Sequence, residues 1–281
     1  MPIKFSIDLI IQSKVENPSL ITPDVLHGFF FSLFPSNIAE TLHKPSRYKP
    51  FCLWAPKIFR FIKNNLASES SSVLTITISF LKDEFFSPFL FKFTENRKKL
   101  FLGPYKVSLL QEPGSLIKNE EYTTFEDFLK IKSKTYLYFQ AITPISFKKG
   151  KIDYPLPDPK IFFKSLINKW NYFSPFRIEV DLKKVLEEKL CIVYSKIRTY
   201  KIKLSLGSAV TGFKGKVVFY GKGLTDEELK WLNILGHFSR YAGVGRKTTM
   251  GLGMVEFQAL NIDEIMTEEN IDEDNLPNWK A

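Results

Sequence analysis

The order in which apolar segments recur constrains this chain most: by periodicity it reads β-α-β-β-α-β twice, with a polar stretch between the passes. Residues 3–11 (IKFSIDLII) form a buried-strand pattern, and Thr22 with Pro23 behind it opens a helix that runs to about Phe34. Leu26, Phe29, Phe30 and Leu33 make one apolar stripe on that helix. A short helix at 36–43, an extended segment at 49–54, a β-branched strand at 73–81 (VLTITISFL), a second helix at 85–93 and a strand region at 99–111 complete the first pass.

Residues 112–133 are polar and acidic, contain Pro113 and Gly114, and read as a domain boundary. The second pass has a long strand at 134–148, a PLPDP turn at 155–159, a helix at 160–173 and strands near 196–206 and 213–221. A helix at 225–242 comes next, opened by a capping box of Thr225 and Glu228, and a strand at 254–259 closes the set. The expected fold is therefore α+β, two tandem ferredoxin-like domains over 1–120 and 134–260, with an acidic tail at 261–281.

The chain has 281 residues with 44% apolar and 15% aromatic content, so low-complexity and disordered classes are excluded. Lys and Arg number 40 against 30 Asp and Glu, for a net charge of +10. Seven of those acids and one base lie in residues 261–281, so the body alone carries +16 (39 bases less 23 acids). Such a surplus suits a polyanion, nucleic acid above all, and equally a lysine-rich surface with no ligand. The tail reads as a solvated extension or as a shield for the basic surface. Two cysteines, Cys52 and Cys191, form no disulfide framework, which points to a reducing cytoplasm. The N-terminus MPIKFSIDLIIQ is a strand pattern and not a signal peptide, and no apolar run approaches membrane-spanning length.

The segment most informative about function is the glycine-rich loop Tyr241-Ala242-Gly243-Val244-Gly245-Arg246-Lys247-Thr248-Thr249-Met250-Gly251-Leu252-Gly253. Four glycines in eleven residues, with Arg246 and Lys247 between them, let main-chain amides approach phosphates closely. A P-loop is excluded, because it needs Gly-Lys-Ser/Thr between a strand and a helix and this loop joins a helix to a strand. A dinucleotide fingerprint is excluded too, since Thr248 stands where its third glycine belongs. A tight left-handed turn before an edge strand would need neither the two bases nor the two threonines, so a grip on phosphate backbone is the better reading.

GVGRKTTMGLG near the end of a two-domain basic chain resembles the C-terminal signature of the RAMP superfamily, the CRISPR-associated RNA-processing proteins. The resemblance extends to Leu26-His27-Gly28-Phe29-Phe30, Leu42-His43, Lys49-Pro50-Phe51, Ile142-Thr143-Pro144, Pro155-Leu156-Pro157-Asp158-Pro159, Trp170-Asn171 and Gly212-Phe213-Lys214-Gly215. With the paired N-terminal histidines it is similar to the endoribonuclease that cuts CRISPR precursor RNA within its repeats.

Three histidines are the natural candidates for chemistry, two of them within seventeen residues near the N-terminus. His43 ends a short helix before the basic turn Lys44-Pro45-Ser46-Arg47-Tyr48-Lys49, where a histidine suits acid–base catalysis near neutral pH. Metal-free RNA cleavage needs a 2′-OH deprotonated, a 5′-oxygen protonated and a cation beside the phosphorane. The resemblance aligns His43 and Lys49 with the family's active-site histidine and lysine; by itself, His43 is equally a helix-terminal cation. His27 lies off the apolar stripe and is the second acid/base candidate or a surface bystander. Some relatives place a catalytic tyrosine on this helix where Phe31 stands here, which raises the weight of His27 or of Tyr48. His237 reads as a surface residue on a polar face with Lys230, Asn233 and Arg240.

The resemblance thus implies a metal-independent endoribonuclease acting on CRISPR repeat RNA, leaving 2′,3′-cyclic phosphate and 5′-OH ends. Expected RNA contacts are Gly243, Gly245, Arg246, Lys247, Thr248, Thr249, Gly251 and Gly253, with Lys214 and Lys216 from a hairpin. No cofactor and no metal-ligand spacing are seen, no membrane is involved, and the protein is a monomer or homodimer that also fits beside other CRISPR effector subunits. The alternatives are a RAMP subunit that holds guide RNA without cutting, and an unrelated basic ferredoxin-like RNA-binding protein, which would lack the usual aromatic RNA-binding motif.

Overall fold

A computed structural model describes residues 1–12, 21–58, 72–95, 100–110 and 118–267. Two compact units result, and neither is one continuous stretch of sequence. Unit 1 takes Met1–Thr123 together with Ile202–Val210 and Lys247–Leu252, while unit 2 takes Thr124–Lys201, Thr211–Arg246 and Gly253–Ala281. The boundaries read from sequence assign both inserted segments to the C-terminal domain. The structure groups them with the N-terminal one, because packing, not chain order, decides membership.

Unit 1 is built on β1 (Ile3–Ile11), whose alternation sorts its two faces. Phe5, Ile7 and Leu9 enter the core, while Lys4, Ser6 and Asp8 face the other way and are buried among polar partners. Ser6 and Thr77 hydroxyls meet at 3.0 Å, and Thr75 donates to Asp8 Oδ1 at 2.7 Å. Helices α1 (Pro23–Ser32) and α2 (Ser36–His43) precede β2 (Phe51–Trp54). β3 (Ser72–Phe80), α3 (Phe86–Glu95), β4 (Leu100–Leu102) and β5 (Tyr105–Leu109) complete the motif. The sheet runs β2-β3-β1-β5-β4 and is antiparallel throughout, the ferredoxin-like order expected.

Three local expectations change. Within the 99–111 segment, Leu100–Leu109 is a hairpin turning at Gly103-Pro104, not one strand, and residues 99 and 111 lie outside the described part. Thr22 occupies the N-cap of α1 without capping it, and its hydroxyl pairs instead with Ser205 Oγ at 3.1 Å, beside Asp24, which accepts from the Ser205 amide at 2.9 Å. The polar stretch at 112–133 holds β6 (Lys118–Tyr122), paired to the N-terminal half of the β1 edge that β5 occupies further along, and α4 (Phe125–Leu129). Edge pairing by main-chain hydrogen bonds leaves no hydrophobic signature, so a polar KNEEY segment gives no warning of a strand.

In unit 2, β7 (Tyr136–Ile145) lies at the centre of the order β10-β11-β7-β12, again ferredoxin-like. β8 (Phe147–Lys149) and β9 (Ile152–Tyr154) form a separate hairpin, and α5 (Pro159–Phe173) begins at an Asp158 cap. α6 (Leu182–Glu188), which the sequence reading lacks, precedes β10 (Leu190–Lys203) and β11 (Ala209–Gly221). α7 (Asp226–Ala242) has the expected Thr225–Glu228 capping box, and β12 (Val255–Leu260) comes after the loop. Phe139, Phe162, Phe163, Trp170, Phe219 and Phe238 fill the core, each burial being worth roughly 1.5–3 kcal/mol.

Asn233, read as part of a polar surface, is fully buried and bridges the Lys134 amide and carbonyl. His237 is half-buried with its ring 5.0 Å from Phe257, and burial pushes its pKa down. The acidic tail begins later than expected. α8 (Ile262–Thr267) folds back with Ile265 buried and Glu264 ion-paired to Lys134 at 2.6 Å, and residues 268–281 lie outside the described part. No helix among the described residues is long and apolar enough to cross a membrane.

Candidate active site in the N-terminal unit

α1 presents Leu26, Phe29, Phe30 and Leu33 to the core, and this rotation leaves His27 half-buried at the rim. α2 ends at an exposed His43, and the chain then turns through Lys44–Lys49 into β2. Phe31 stands between the two histidines: its ring centroid is 4.8 Å from His27, edge to face, and 5.1 Å from His43. The phenyl ring thus separates the two imidazoles and has no proton to give. Phe51 closes the other side of His27 at 6.1 Å, nearly parallel.

Lys49 Nζ donates to the carbonyls of Leu42 and Lys44 at 2.7 and 2.6 Å. It therefore caps the negative end of α2 with a full positive charge and leaves one N–H for another acceptor. Burial pushes its pKa down. His27 is lowered too, first by burial and further by the cations of His43, Lys49 and Lys247, against one opposing hydrogen bond.

That opposing bond comes from the glycine-rich loop. His27 Nδ1 lies 2.7 Å from the main-chain oxygen of Thr249. The loop starts where α7 ends, at Gly243, and the buried ammonium of Lys169 donates to the Ala242 and Gly243 carbonyls at 2.7 and 3.0 Å. The Arg246 amide donates to Ser146 O at 2.9 Å. Gly245 has φ 80°, and a Cβ there would sit 2.5 Å from that same Ser146 oxygen, so only glycine fits. Lys247, at φ 58°, is the single non-glycine residue with positive φ among the described residues. A 3-10 turn at Thr248–Met250 and left-handed Gly251 come next, and Trp54 Nε1 secures the tip by donating to Leu252 O at 3.0 Å.

The residues expected to contact RNA therefore divide. Lys247, Thr248, Thr249 and Gly251 belong to unit 1 with His27, His43 and Lys49; Gly243, Gly245, Arg246 and Gly253 belong to unit 2. Arg246 is engaged within its own unit, 2.5 Å from Asp153, whose second oxygen accepts the Thr211 amide at 2.9 Å. Thr248 is buried. Lys214 and Lys216 lie on β11, with Lys216 Nζ 5.9 Å from the Tyr138 ring centroid. Lys169, Asp153 and Trp54 escape sequence reasoning because each acts on a main-chain or side-chain group far away in the chain. No three His, Cys, Asp or Glu side chains gather as a metal-ligand set among the described residues.

Comparison with known proteins reaches the C-terminal half by sequence and nearly all of the chain by fold. Residues 139–255 match the sequence profile of CRISPR-associated endoribonuclease Cas6. A Cas6 of Mycobacterium tuberculosis is 29% identical over 122 residues, covering 43% of this chain and 38% of that protein. One from Streptococcus thermophilus is 26% identical over 135 residues, covering 47% and 55%. The matched region thus spans less than two thirds of either relative. Among solved structures, a Thermus thermophilus Cas6 in a product complex superposes with TM-score 0.76 at 24% identity, over 92% of this chain and 99% of that one. A second Cas6 product complex gives 0.70 at 23% identity, over 91% and 99%. At such identities the superpositions show a shared fold. Residues 139–255 are thus similar in sequence to CRISPR-associated endoribonuclease Cas6, and 92% of the chain shares the fold of solved Cas6 structures.

Proposed function

We propose that the protein cuts CRISPR repeat RNA without a metal, by attack of a 2′-OH on the adjacent phosphate. The observation that carries this reading is the grouping of His27 and His43 around Phe31 in one unit, with Lys49 close enough to lower the proton affinity of His27. His27, whose proton affinity burial lowers, is neutral at pH 7 and takes the 2′-OH proton. His43, exposed at the end of α2, supplies the proton needed by the leaving 5′-oxygen. The remaining N–H of Lys49 meets the charge that builds on the phosphorane. The products are a 2′,3′-cyclic phosphate and a 5′-OH.

RNA binding rests on the basic loop and on the long β10–β11 ribbon. From Lys189 to Thr225 the chain has no acidic residue. Within unit 2, Lys196, Arg198 and Lys201 on β10 and Lys214 and Lys216 on β11 offer phosphate contacts without base selectivity. Lys247 adds one beside the histidines, with the loop threonines and glycines forming its frame. Two free cysteines, Cys52 and Cys191, suit work in a reducing cytoplasm. The test is cleavage of a repeat RNA panel, with and without a 2′-deoxy nucleotide at the scissile position. The reading expects cutting of the all-ribose strand and none of the deoxy-substituted strand, with cyclic-phosphate ends; no cutting of any RNA that binds would overturn it and favour a binding subunit.

A further inference from the structure

A carbonyl oxygen can only accept a hydrogen bond, so the 2.7 Å contact of Thr249 O with His27 Nδ1 requires the proton to sit on Nδ1. We propose that Thr249 is a positioning residue: its main-chain carbonyl holds His27 in the Nδ1–H tautomer, so that Nε2 carries the lone pair that receives the substrate proton. The inference rests on the reading of His27 as proton acceptor and adds a second duty for the glycine-rich loop, which then prepares the catalyst as well as meeting RNA.

Two features of the loop and one of the His27 surroundings support the assignment. Thr249 lies inside a 3-10 turn bounded by two left-handed residues, Lys247 at φ 58° and Gly251 at φ 88°, which fixes where its carbonyl points. Trp54 anchors the next carbonyl but two, Leu252 O, from a fully buried position. The rings of Phe31 and Phe51 border His27 on two sides and offer no competing acceptor. The charged groups that face His27 from α2, the turn after it and the loop are His43, Lys49 and Lys247, all of them donors when protonated.

The proton inventory balances. The 2′-O–H bond breaks and its proton moves to Nε2, giving an imidazolium whose Nδ1–H still points at Thr249 O. The freed oxygen bonds to phosphorus, the P–O5′ bond breaks, and O5′ takes a proton from His43. The carbonyl dipole stabilises the imidazolium as it forms, as oriented acceptors behind catalytic and metal-bound histidines do. Solvent-exposed imidazole prefers the opposite tautomer, Nε2–H, which has no lone pair at that nitrogen. A loop displaced from His27 would therefore lose the base even where RNA still binds.

The test is long-range 1H–15N correlation of the imidazole rings in RNA-free protein labelled with 15N-histidine, in which three histidines are assigned with His43→Ala and His237→Ala. Above pH 6.5, His27 should show the Nδ1–H pattern. Gly251→Ala, which places a side chain at φ 88°, should shift His27 toward Nε2–H and slow single-turnover cleavage about tenfold or more. Gly251→Asn, which tolerates that backbone, should return His27 to the Nδ1–H form. A His27 in the Nε2–H form in wild-type protein, or a slow Gly251→Ala with its tautomer unchanged, overturns the proposal. Because the spectrum is read without RNA, failure to cut any RNA counts against the proposed function and leaves the tautomer result standing.

Discussion

His27 and Thr249 are 222 positions apart in sequence, yet the ring nitrogen of one lies 2.7 Å from the main-chain oxygen of the other. That bond belongs to unit 1, which draws Lys247–Leu252 out of the C-terminal half of the chain. Residues 247–252 of the glycine-rich loop are thereby a structural part of the histidine cluster.

Proton transfer and RNA affinity should separate on mutation. His43→Ala and His27→Ala should each slow cleavage about 10²- to 10⁴-fold at saturating protein while changing RNA affinity little. Lys49→Met should slow cleavage as well, and should cost about 1 kcal/mol of stability because the Leu42 and Lys44 carbonyls lose their donor. Single-turnover rates alongside binding curves and thermal melts decide this; a His43→Ala rate within a few fold of wild type removes that residue from the mechanism.

As the proposed base, His27 should set the acid side of the pH profile. Its folded pKa lies below 6.5, so the folded state disfavours the proton that the unfolded chain accepts. Stability from this group is complete above pH 6.5 and falls as the pH drops through that value, because the unfolded state then binds more protons. His237, also lowered, adds to the same slope. The cleavage rate should show an acid limb whose apparent pKa lies below 6.5 and which disappears in His27→Ala. A limb centred above 6.5 would assign it to another group.

Arg246 and Lys247 are neighbours in sequence with different expected phenotypes. Arg246→Ala frees Asp153 within unit 2 and should destabilise by about 1–3 kcal/mol, as should Asp153→Ala, with little change in the salt dependence of RNA binding. Lys247→Ala should leave stability nearly intact and reduce the salt slope by about 1. Binding measured across a salt series, with denaturation in parallel, separates them; a slope lowered equally by both variants would make Arg246 a phosphate ligand.

The proposed cleavage by histidine and lysine needs no metal ion at the scissile phosphate. The rate on cognate repeat RNA should persist in excess EDTA. Activity that disappears with chelator and returns with Mg²⁺ or Mn²⁺ rules out the proposed mechanism.

Much of this protein is written in local pattern. Strand β1, helix α1 with Pro23 at its start, the Thr225–Glu228 capping box and the twofold β-α-β-β-α-β order all derive from periodicity, capping chemistry and turn residues within a few positions of one another. The histidines and the loop were legible as residue types in suggestive company. Their arrangement was not. Phe31 between His27 and His43, Lys169 under the end of α7, Asp153 on Arg246 and the Thr249 carbonyl on His27 are decided by tertiary structure alone. The physical reason is that a main-chain carbonyl is the same group at every position, and an ion pair or hydrogen bond records only distance and direction in space. Local sequence determines which groups are available and which elements present them. Only the folded packing of segments far apart in the chain determines which donor meets which acceptor, and so which nitrogen of His27 is left to act.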